Sequence, residues 1–495
     1  MRQDQTSTVP VVISGAGPAG LTAAIMLARY GVASLLVEQR DDLSTLPRAT
    51  GVSTRTMELL RSWGVEDQVR AGEMDVRFAS WLTETLASPT GVAEPIGYPT
   101  REQAAAVSPA APAAVPQDHL EAVLDAQLRT YPTAQVRFGT ELVDFDQDDE
   151  GVTTVLRDLA TGATSLVRSW FLVAADGAHS TIRTALGIRM DGPDHLEEII
   201  SVLFRAPLGR VLGDRRYGIY LITHPEASGV FVPSGNHDRW IYGFGWQPDH
   251  ERLEEYTPAR LTRLIRTGAG MPDLQPELLR VGAFSFAAQL AERYRQGRTF
   301  LVGDAAHRIS PRGGTGMNTA IHDGYNLGWK LAWVLRGWSE EELLDTYEAE
   351  RRPAGARNVA RSATESHRDV GQYLADDLGG RIGHAWVGRG SARVSTIDLL
   401  GPGLTLLTGP AGTRWRGLAA TVETAVPIDV QILDGPAADA VGIAGHGAVL
   451  VRPDGHAVAG WSEAASGAAA DLSKAVRRTT GLGVSRSELV AHGAV

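Results

Sequence analysis

The chain has 495 residues, 43% hydrophobic and 21% charged, so length predicts roughly three domains of ~150 residues, and composition predicts a folded protein with a large core. The net charge of −11 disfavours non-specific attraction to nucleic acid or anionic lipid, and the lack of cysteine excludes disulfides, thiolate metal sites and cysteine nucleophiles. No run reaches the ~18 apolar residues of a membrane span and the start is too poor in apolar residues for a signal peptide, which predicts a soluble cytoplasmic protein, monomer or homodimer, without nucleic-acid or membrane partners.

Residues 9–14 form a short, branched, continuously apolar run, as a strand buried on both faces requires. Gly15-Ala16-Gly17-Pro18-Ala19-Gly20 follows at once, then a helical apolar period over 21–30 stopped by Gly31, then a second strand over 33–37. This order predicts a βαβ unit. Residues 54–63 predict a helix closed by Gly64 at C′. Residues 101–116, with seven alanines and three prolines, predict a crossover loop, and Asp118 with Glu121 predicts a capping box for a helix to about 129. Strand patterns at 141–146, 152–158 and 166–174 lead into Asp176-Gly177. From about 190 to 285, alternating aromatic-rich runs such as 217–222 and 240–246 predict an antiparallel sheet. A buried strand over 298–302, then Gly303-Asp304 and a long helix from near Gly316, predict that the βαβ fold resumes after this insertion. Strand patterns at 395–400, 427–433 and 448–452 mark a third region beyond about 370.

In a glycine fingerprint of this form the first glycine permits a tight turn, the second lets a diphosphate approach the backbone, and the third packs helix against strand. The phosphates rest on the helix N-terminus. Glu38 ends the second strand, where a carboxylate accepts bonds from ribose hydroxyls and repels a 2′-phosphate, so FAD or NAD is predicted rather than NADP. Asp176 in Asp176-Gly177-Ala178-His179-Ser180-Thr181-Ile182-Arg183 reads locally as a helix cap. In the stretch 303–318 (GDAAHRISPRGGTGMN), Asp304 at a strand end suits a sugar or ribityl hydroxyl, and the glycines opening a helix offer N–H groups to an anion. His307 has no further ligands at metal-site spacing and reads as structural. Trp240, Phe244 and Trp246 read as one packed face of a sheet.

Together GAGPAG with Glu38, DGAHSTIR and GDAAHRISPRGGTGMN resemble the FAD-dependent aromatic hydroxylases built like para-hydroxybenzoate hydroxylase, over nearly the whole chain. Residues 47–64 (PRATGVSTRTMELLRSWG), 343–353 (LLDTYEAERRP) and 395–409 (STIDLLGPGLTLLTG) are similar to hydroxylases of aromatic polyketides such as aklavinone hydroxylase, and to bacterial phenol hydroxylases. The resemblance implies an α/β chain with a Rossmann-like FAD-binding domain (1–72, 104–188 and 283–370) and an inserted antiparallel-sheet substrate domain (73–103 and 189–282). It also implies a C-terminal thioredoxin-like domain without cysteines (371–495).

The same resemblance implies that Gly15, Gly17, Pro18, Ala19, Gly20, Glu38, Gln39 and Arg40 hold the ADP half of FAD, that Gln117 and Arg48 reach the ribityl chain or phosphates, and that Leu142 meets the adenine through its backbone. Asp176 then sits beside the cofactor and shapes the nicotinamide approach. Gly303 and Asp304 bind the ribityl hydroxyls, and Pro311, Gly314, Gly316, Met317 and Asn318 line the isoalloxazine. With no second GxGxxG followed by an acid, NADPH or NADH binds transiently. In the family's mechanism hydride reduces FAD, O2 adds as a C4a-hydroperoxide, and one oxygen passes to an electron-rich aromatic carbon while the protein excludes water and gates the flavin's movement. Arg48, Tyr217 and Tyr220 are the candidates to orient or polarise the substrate, set against phosphate contact for Arg48 and sheet core for the tyrosines. Thr50 stands where some simple phenol hydroxylases carry an acid, which favours a polycyclic, more acidic phenol from secondary metabolism. Baeyer–Villiger insertion into a polyketide ketone and a non-catalytic flavin sensor are the alternative readings.

Overall fold

The computed structural model describes residues 7–236, 238–364, 369–390 and 392–481. Positions 1–6, 365–368 and 482–495, which belong to the expected start, the segment 283–370 and the third region, lie outside the described residues.

Val11–Ser14 is buried throughout and lies inside a six-stranded sheet ordered Arg295–Gln296, Thr299–Leu301, Phe171–Ala174, Val11–Ser14, Ser34–Val37, Ala134–Arg137. All neighbours run parallel except the outer pair at 295–301. Thr299–Leu301 thus returns to the sheet after the insertion, as the pattern predicts. Helix Pro18–Arg29 packs along helix Gly316–Leu335. A Cβ at Gly324 would lie 2.3 Å from the Ala19 carbonyl oxygen, so the two backbones approach at a distance only glycine allows.

The insertion forms a seven-stranded sheet ordered Glu277–Phe286, Glu197–Arg205, Arg239–Gly245, Gly229–Pro233, Tyr217–Ile222, Arg77–Thr83, Val92–Pro95. One pair, Tyr217–Ile222 beside Arg77–Thr83, is parallel, which departs from the purely antiparallel expectation. Helix Pro258–Ala269 covers one face; Thr257 caps it through the Arg260 N–H, Pro258 opens it, and left-handed Gly270 closes it. Tyr220, Phe231, Trp240, Tyr242 and Phe244 bury there against Leu261 and Ile265, which makes Trp240 and Phe244 packing residues. Trp246 lies just past its strand, edge-on to Tyr256.

The third region carries a four-stranded sheet, Ile428–Ile432, Leu404–Thr408, Ala448–Val451, Ala457–Trp461, with helix Ala468–Thr480. Residues 395–400 are not the expected strand. Strand Ala392–Ser395 ends there, and the chain curls into a 3-10 turn, Ile397–Leu399, because Asp398 accepts from the Ser395 N–H (3.0 Å) and Ser395 Oγ from the Ile397 N–H (3.1 Å). The expected capping box at Asp118 and Glu121 is also absent. Helix Gln117–Leu128 starts behind Pro116, Asp118 is drawn away to Arg239 (2.7 Å), and Glu121 bonds Gln117 (2.7 Å). The capping box nearby is Thr100 with Gln103, on a short helix Arg101–Ala105 inside the expected loop. The run 166–174 splits at Trp170 into two strands of different sheets. Among the described residues no helix is long and apolar enough to cross a membrane.

Candidate cofactor and substrate cleft

The three fingerprint glycines differ in what surrounds them. A Cβ on Gly15 (φ +108°) would lie 2.2 Å from the Ala175 carbonyl oxygen, and one on Gly20 2.0 Å from that of Gly15. A Cβ on Gly17 would meet nothing within 4 Å. The protein's own backbone therefore demands the first and third glycines, while the second faces open space at the start of helix Pro18–Arg29, whose cap position has no side-chain bond. That opening fits a diphosphate. Glu38 is buried: Oε2 accepts from the Ala16 N–H (2.9 Å), and Oε1 accepts from Arg40 N–H (3.0 Å) and Nε (2.9 Å). Burial pushes its pKa up, but the Arg40 and backbone donors outweigh this and hold it below the usual range, so the strand end presents an ionised acceptor. Gln39 beside it is exposed.

A second wall comes from helix Gln117–Leu128. Gln117 donates to Glu121 Oε1, while Glu121 Oε2 is buried and has no hydrogen-bond partner among the described residues. Burial raises the Glu121 pKa against the attraction of Arg40 and Arg48. Arg48 is exposed, and Asp304 is open to solvent yet enclosed by protein; burial raises the Asp304 pKa, opposed by His307, Arg48 and Arg308. Asp176 Oδ2 accepts from the Ile182 N–H (3.2 Å), but its Oδ1 is buried without a partner among the described residues, and the helix cap proper is Ser180. Burial raises this carboxyl too, above what its Ser180 and backbone bonds offset. Leu142 lies opposite Leu156 beside a one-residue bulge at Val143 that interrupts the ladder. Orphaned carboxylate oxygens and a loop that leaves room at Gly17 are what a hydroxyl-rich, doubly phosphorylated group such as FAD would complete.

The third wall is the turn Pro311–Gly313, left-handed Gly314 (φ +60°) and the start of helix Gly316–Leu335 with Met317 and Asn318. Asn318 Oδ1 accepts from the Ser53 N–H (2.9 Å) and its Nδ2 donates to the Gly51 carbonyl (2.9 Å). Arg312 pairs with Glu197 (2.7 Å), so this loop abuts the start of a strand in the inserted sheet. Ile219, Leu221, Val230, Val232 and Ile241, on the sheet face opposite helix Pro258–Ala269, are half-buried and belong to none of the three apolar cores among the described residues. Tyr217 and Tyr220 do not share that face. Tyr220 Oη donates to the Arg215 carbonyl (2.7 Å) and accepts from the Tyr217 N–H (2.9 Å), and the Tyr217 ring stacks on Trp81 at 5.1 Å. The structure sets both against the expected substrate-orienting role: they pack in the sheet core, where Tyr220 spends its hydroxyl on the backbone and Tyr217 stacks its ring on Trp81. Arg48 stays in the cleft.

His307 is buried with Nε2 2.6 Å from Asp323 Oδ2, and Asp323 also accepts from the Gly303 N–H (3.2 Å) and Arg351 (2.7 Å). These three side chains brace the Gly303-Asp304 corner. Sequence reading missed Asp323, Glu121 as a cleft residue, and Tyr98; for Asp323 the available signal is an acid inside an apolar helix, where burial without a partner is costly.

Behind the third wall, Ser53 caps helix Thr54–Ser62 and Asp377 accepts from the Arg55 N–H (2.8 Å). Burial pushes the Asp377 carboxyl up to about 6, against the bonds from Ser53 and Arg55. The native state therefore binds this proton more tightly than the unfolded chain, where an aspartate titrates near ~3.9. The resulting stabilisation is full below about pH 4 and lost as pH rises through about 6. Asp377→Asn is expected to remove that slope, so the melting temperature of the variant minus that of the parent grows between pH 4 and 6.5; a constant difference would refute the assignment.

A family profile described as "FAD binding domain" matches residues 8–362, and one described as "Aromatic-ring hydroxylase, C-terminal" matches residues 375–482. The chain is 36% identical to tetracenomycin A2 monooxygenase-dioxygenase of Streptomyces glaucescens, over 91% of this chain and 93% of that relative. It is 35% identical to aklavinone 12-hydroxylase RdmE of Streptomyces purpurascens, over 95% of this chain and 98% of the relative. The crystal structure of a ternary complex of aklavinone-11 hydroxylase with FAD and aklavinone matches with a TM-score of 0.86 at 35% identity, covering 97% of this chain and 100% of that one.

Proposed function

Because the chain belongs to the FAD-dependent aromatic-ring hydroxylases, we propose that it hydroxylates a phenolic ring of a polycyclic polyketide, using NADPH or NADH and O2. Bound FAD supplies the redox chemistry, taking hydride from the nicotinamide and activating O2. Gly17 and the first turn of helix Pro18–Arg29 receive its diphosphate, Glu38 its adenosine ribose, and Leu142 its adenine. Gln117, Arg48 and Asp304 serve the phosphates and ribityl chain, Asp176 borders the ring, and Pro311 with 314–318 lines the isoalloxazine.

The observation that carries the substrate reading is the apolar sheet face of Ile219, Leu221, Val230, Val232 and Ile241, left outside the cores and on the side of a glycine loop. A flat hydrocarbon skeleton buries there at about 25 cal/mol per Å² while it keeps water from the reacting atoms. Thr50 offers no carboxylate, so a phenol acidic enough to ionise unaided suits the site. The wider organisation is read as an FAD domain over 1–72, 104–188 and 283–370, a substrate domain over 73–103 and 189–282, and a third, thioredoxin-like domain whose lack of cysteine removes thiol redox chemistry.

Incubation with NADPH or NADH under air and a panel of anthracyclines, angucyclines and simple phenols tests the proposal. One added oxygen on a ring carbon, with the ring connectivity unchanged by NMR, is expected for a polycyclic phenol. A ring-expanded ester reassigns the chemistry to Baeyer–Villiger insertion. Absence of both product and substrate-stimulated flavin bleaching overturns the enzymatic reading.

A further inference from the structure

One tyrosine from the inserted segment ties three separate stretches of chain together at the glycine loop. Tyr98 follows strand Val92–Pro95 and is buried. Its ring stacks on Phe78 (4.8 Å between centroids, planes at 10°) on one side and packs against Tyr373 (4.7 Å, 37°) of helix Val370–Leu378 on the other. Its hydroxyl faces two carbonyls, the nearer of Gly314 (3.0 Å) and that of Gly51 (3.3 Å), to which its one proton can be donated, and it accepts from Asn318 Nδ2 (3.3 Å), while Asn318 in turn holds Gly51 and Ser53. A Cβ at Gly51 would lie 2.7 Å from the Tyr98 hydroxyl, so the chain at Gly51 passes as close to this phenol as a glycine permits.

A left-handed glycine beside others is conformationally permissive, and the entropy of fixing it must be met by contacts from outside. At Gly314 (φ +60°) a Cβ would have nothing within 4 Å, so side-chain packing cannot hold that residue; a hydrogen bond to its carbonyl can. Tyr98 supplies that bond from a ring immobilised between two others. We propose that Tyr98 is a positioning residue that fixes the Gly314–Asn318 segment, and that Tyr373 carries the docking of helix Val370–Leu378 to it through the ring contact. The proposal rests on the cofactor reading above, in which this segment faces the isoalloxazine.

The test uses the full chain. In Tyr98→Phe the ring column is kept and only the hydroxyl is lost. In FAD-free protein, amide exchange of residues 311–318 is expected to rise about five-fold, the equivalent of one neutral hydrogen bond, with exchange in Val11–Ser14 unchanged. In reconstituted protein, FAD is expected to bind about five-fold more weakly, with an altered visible circular dichroism band. Tyr373→Leu is expected to act in the same direction, and the double variant to be less than additive. Parent-like exchange at 311–318 in Tyr98→Phe, or additive effects of the two changes, overturn the respective halves of the proposal. A parent protein that refuses FAD overturns the cofactor reading instead, whereas a parent that takes FAD and a Tyr98→Phe variant indistinguishable from it overturn this proposal alone.

Discussion

Gly17→Val is expected to give a folded protein that retains no FAD, and Gly20→Val one that loses both FAD and its N-terminal fold. The two positions lie three residues apart at one strand-to-helix junction, yet a Cβ at Gly17 meets nothing within 4 Å, while one at Gly20 lies 2.0 Å from the Gly15 carbonyl oxygen and 3.2 Å from the Ala175 Cβ. A valine at 17 therefore leaves packing alone and fills the space against the first-turn N–H groups, where the diphosphate belongs. A valine at 20 forces helix Pro18–Arg29 away from the strand that feeds it. Overpacking of this kind costs about 1–3 kcal/mol where neighbours can yield, and more here because the obstacle is backbone. Against a typical total of about 5–15 kcal/mol that is severe. Far-ultraviolet melting separates folding from retention of yellow colour after reconstitution with FAD. A Gly17→Val protein that binds FAD as tightly as the parent would remove the diphosphate from this loop.

What could be read ahead of the structure was local. A buried strand, a glycine fingerprint and an acid at the next strand end are chemistry and sterics within 30 residues, and Gly15, Gly17 and Gly20 have the surroundings that such a fingerprint requires. His307, read locally as structural, is buried with its Nε2 2.6 Å from Asp323 Oδ2. The errors arise where a distant partner competes with a local one. Asp118 has the spacing of a cap with Glu121, but Arg239 from the inserted sheet offers it two bonds, and Pro116 already sets the chain entry to the helix. Alternation at 217–222 shows that the strand has two faces, but helix Pro258–Ala269 decides which one is covered, and it covers that of Tyr220. Tyr98 on Gly314 and Arg381 on Glu58 join positions 216 and 323 residues apart, beyond the reach of any periodicity.

That last pair gives the second large effect: Arg381→Met is expected to destabilise the docking of the third region by about 1.5–3 kcal/mol, the loss of charge-assisted hydrogen bonds to a buried carboxylate that keeps Arg55 as its partner. The two side chains are 2% and 1% exposed. Glu58 takes bonds from Arg381 Nε (2.9 Å), Arg381 Nη2, Arg55 (2.8 Å) and Ser108 (2.7 Å), and Arg381 also reaches the Val107 carbonyl (2.8 Å). Burial pushes the Glu58 pKa up, but Arg55 and Arg381 together hold it below the usual range, so the carboxylate stays charged in the interior. With Arg381 gone, Arg55 and the Ser108 hydroxyl must offset that burial, and Arg55 is already committed to the Asp454 carbonyl of the same seam. The consequence reaches the cleft, because Glu58 lies on the helix whose cap residue, Ser53, donates to Asn318. Lower urea midpoints, faster proteolysis within the third region and weaker FAD retention are therefore expected together in Arg381→Met. Glu58→Leu combined with Arg381→Met is expected to be at least as severe as Arg381→Met alone, since it leaves the buried Arg55 without its carboxylate. A single variant as stable as the parent would mean that the charge finds water or another partner, and that the third region is held mainly by apolar contact.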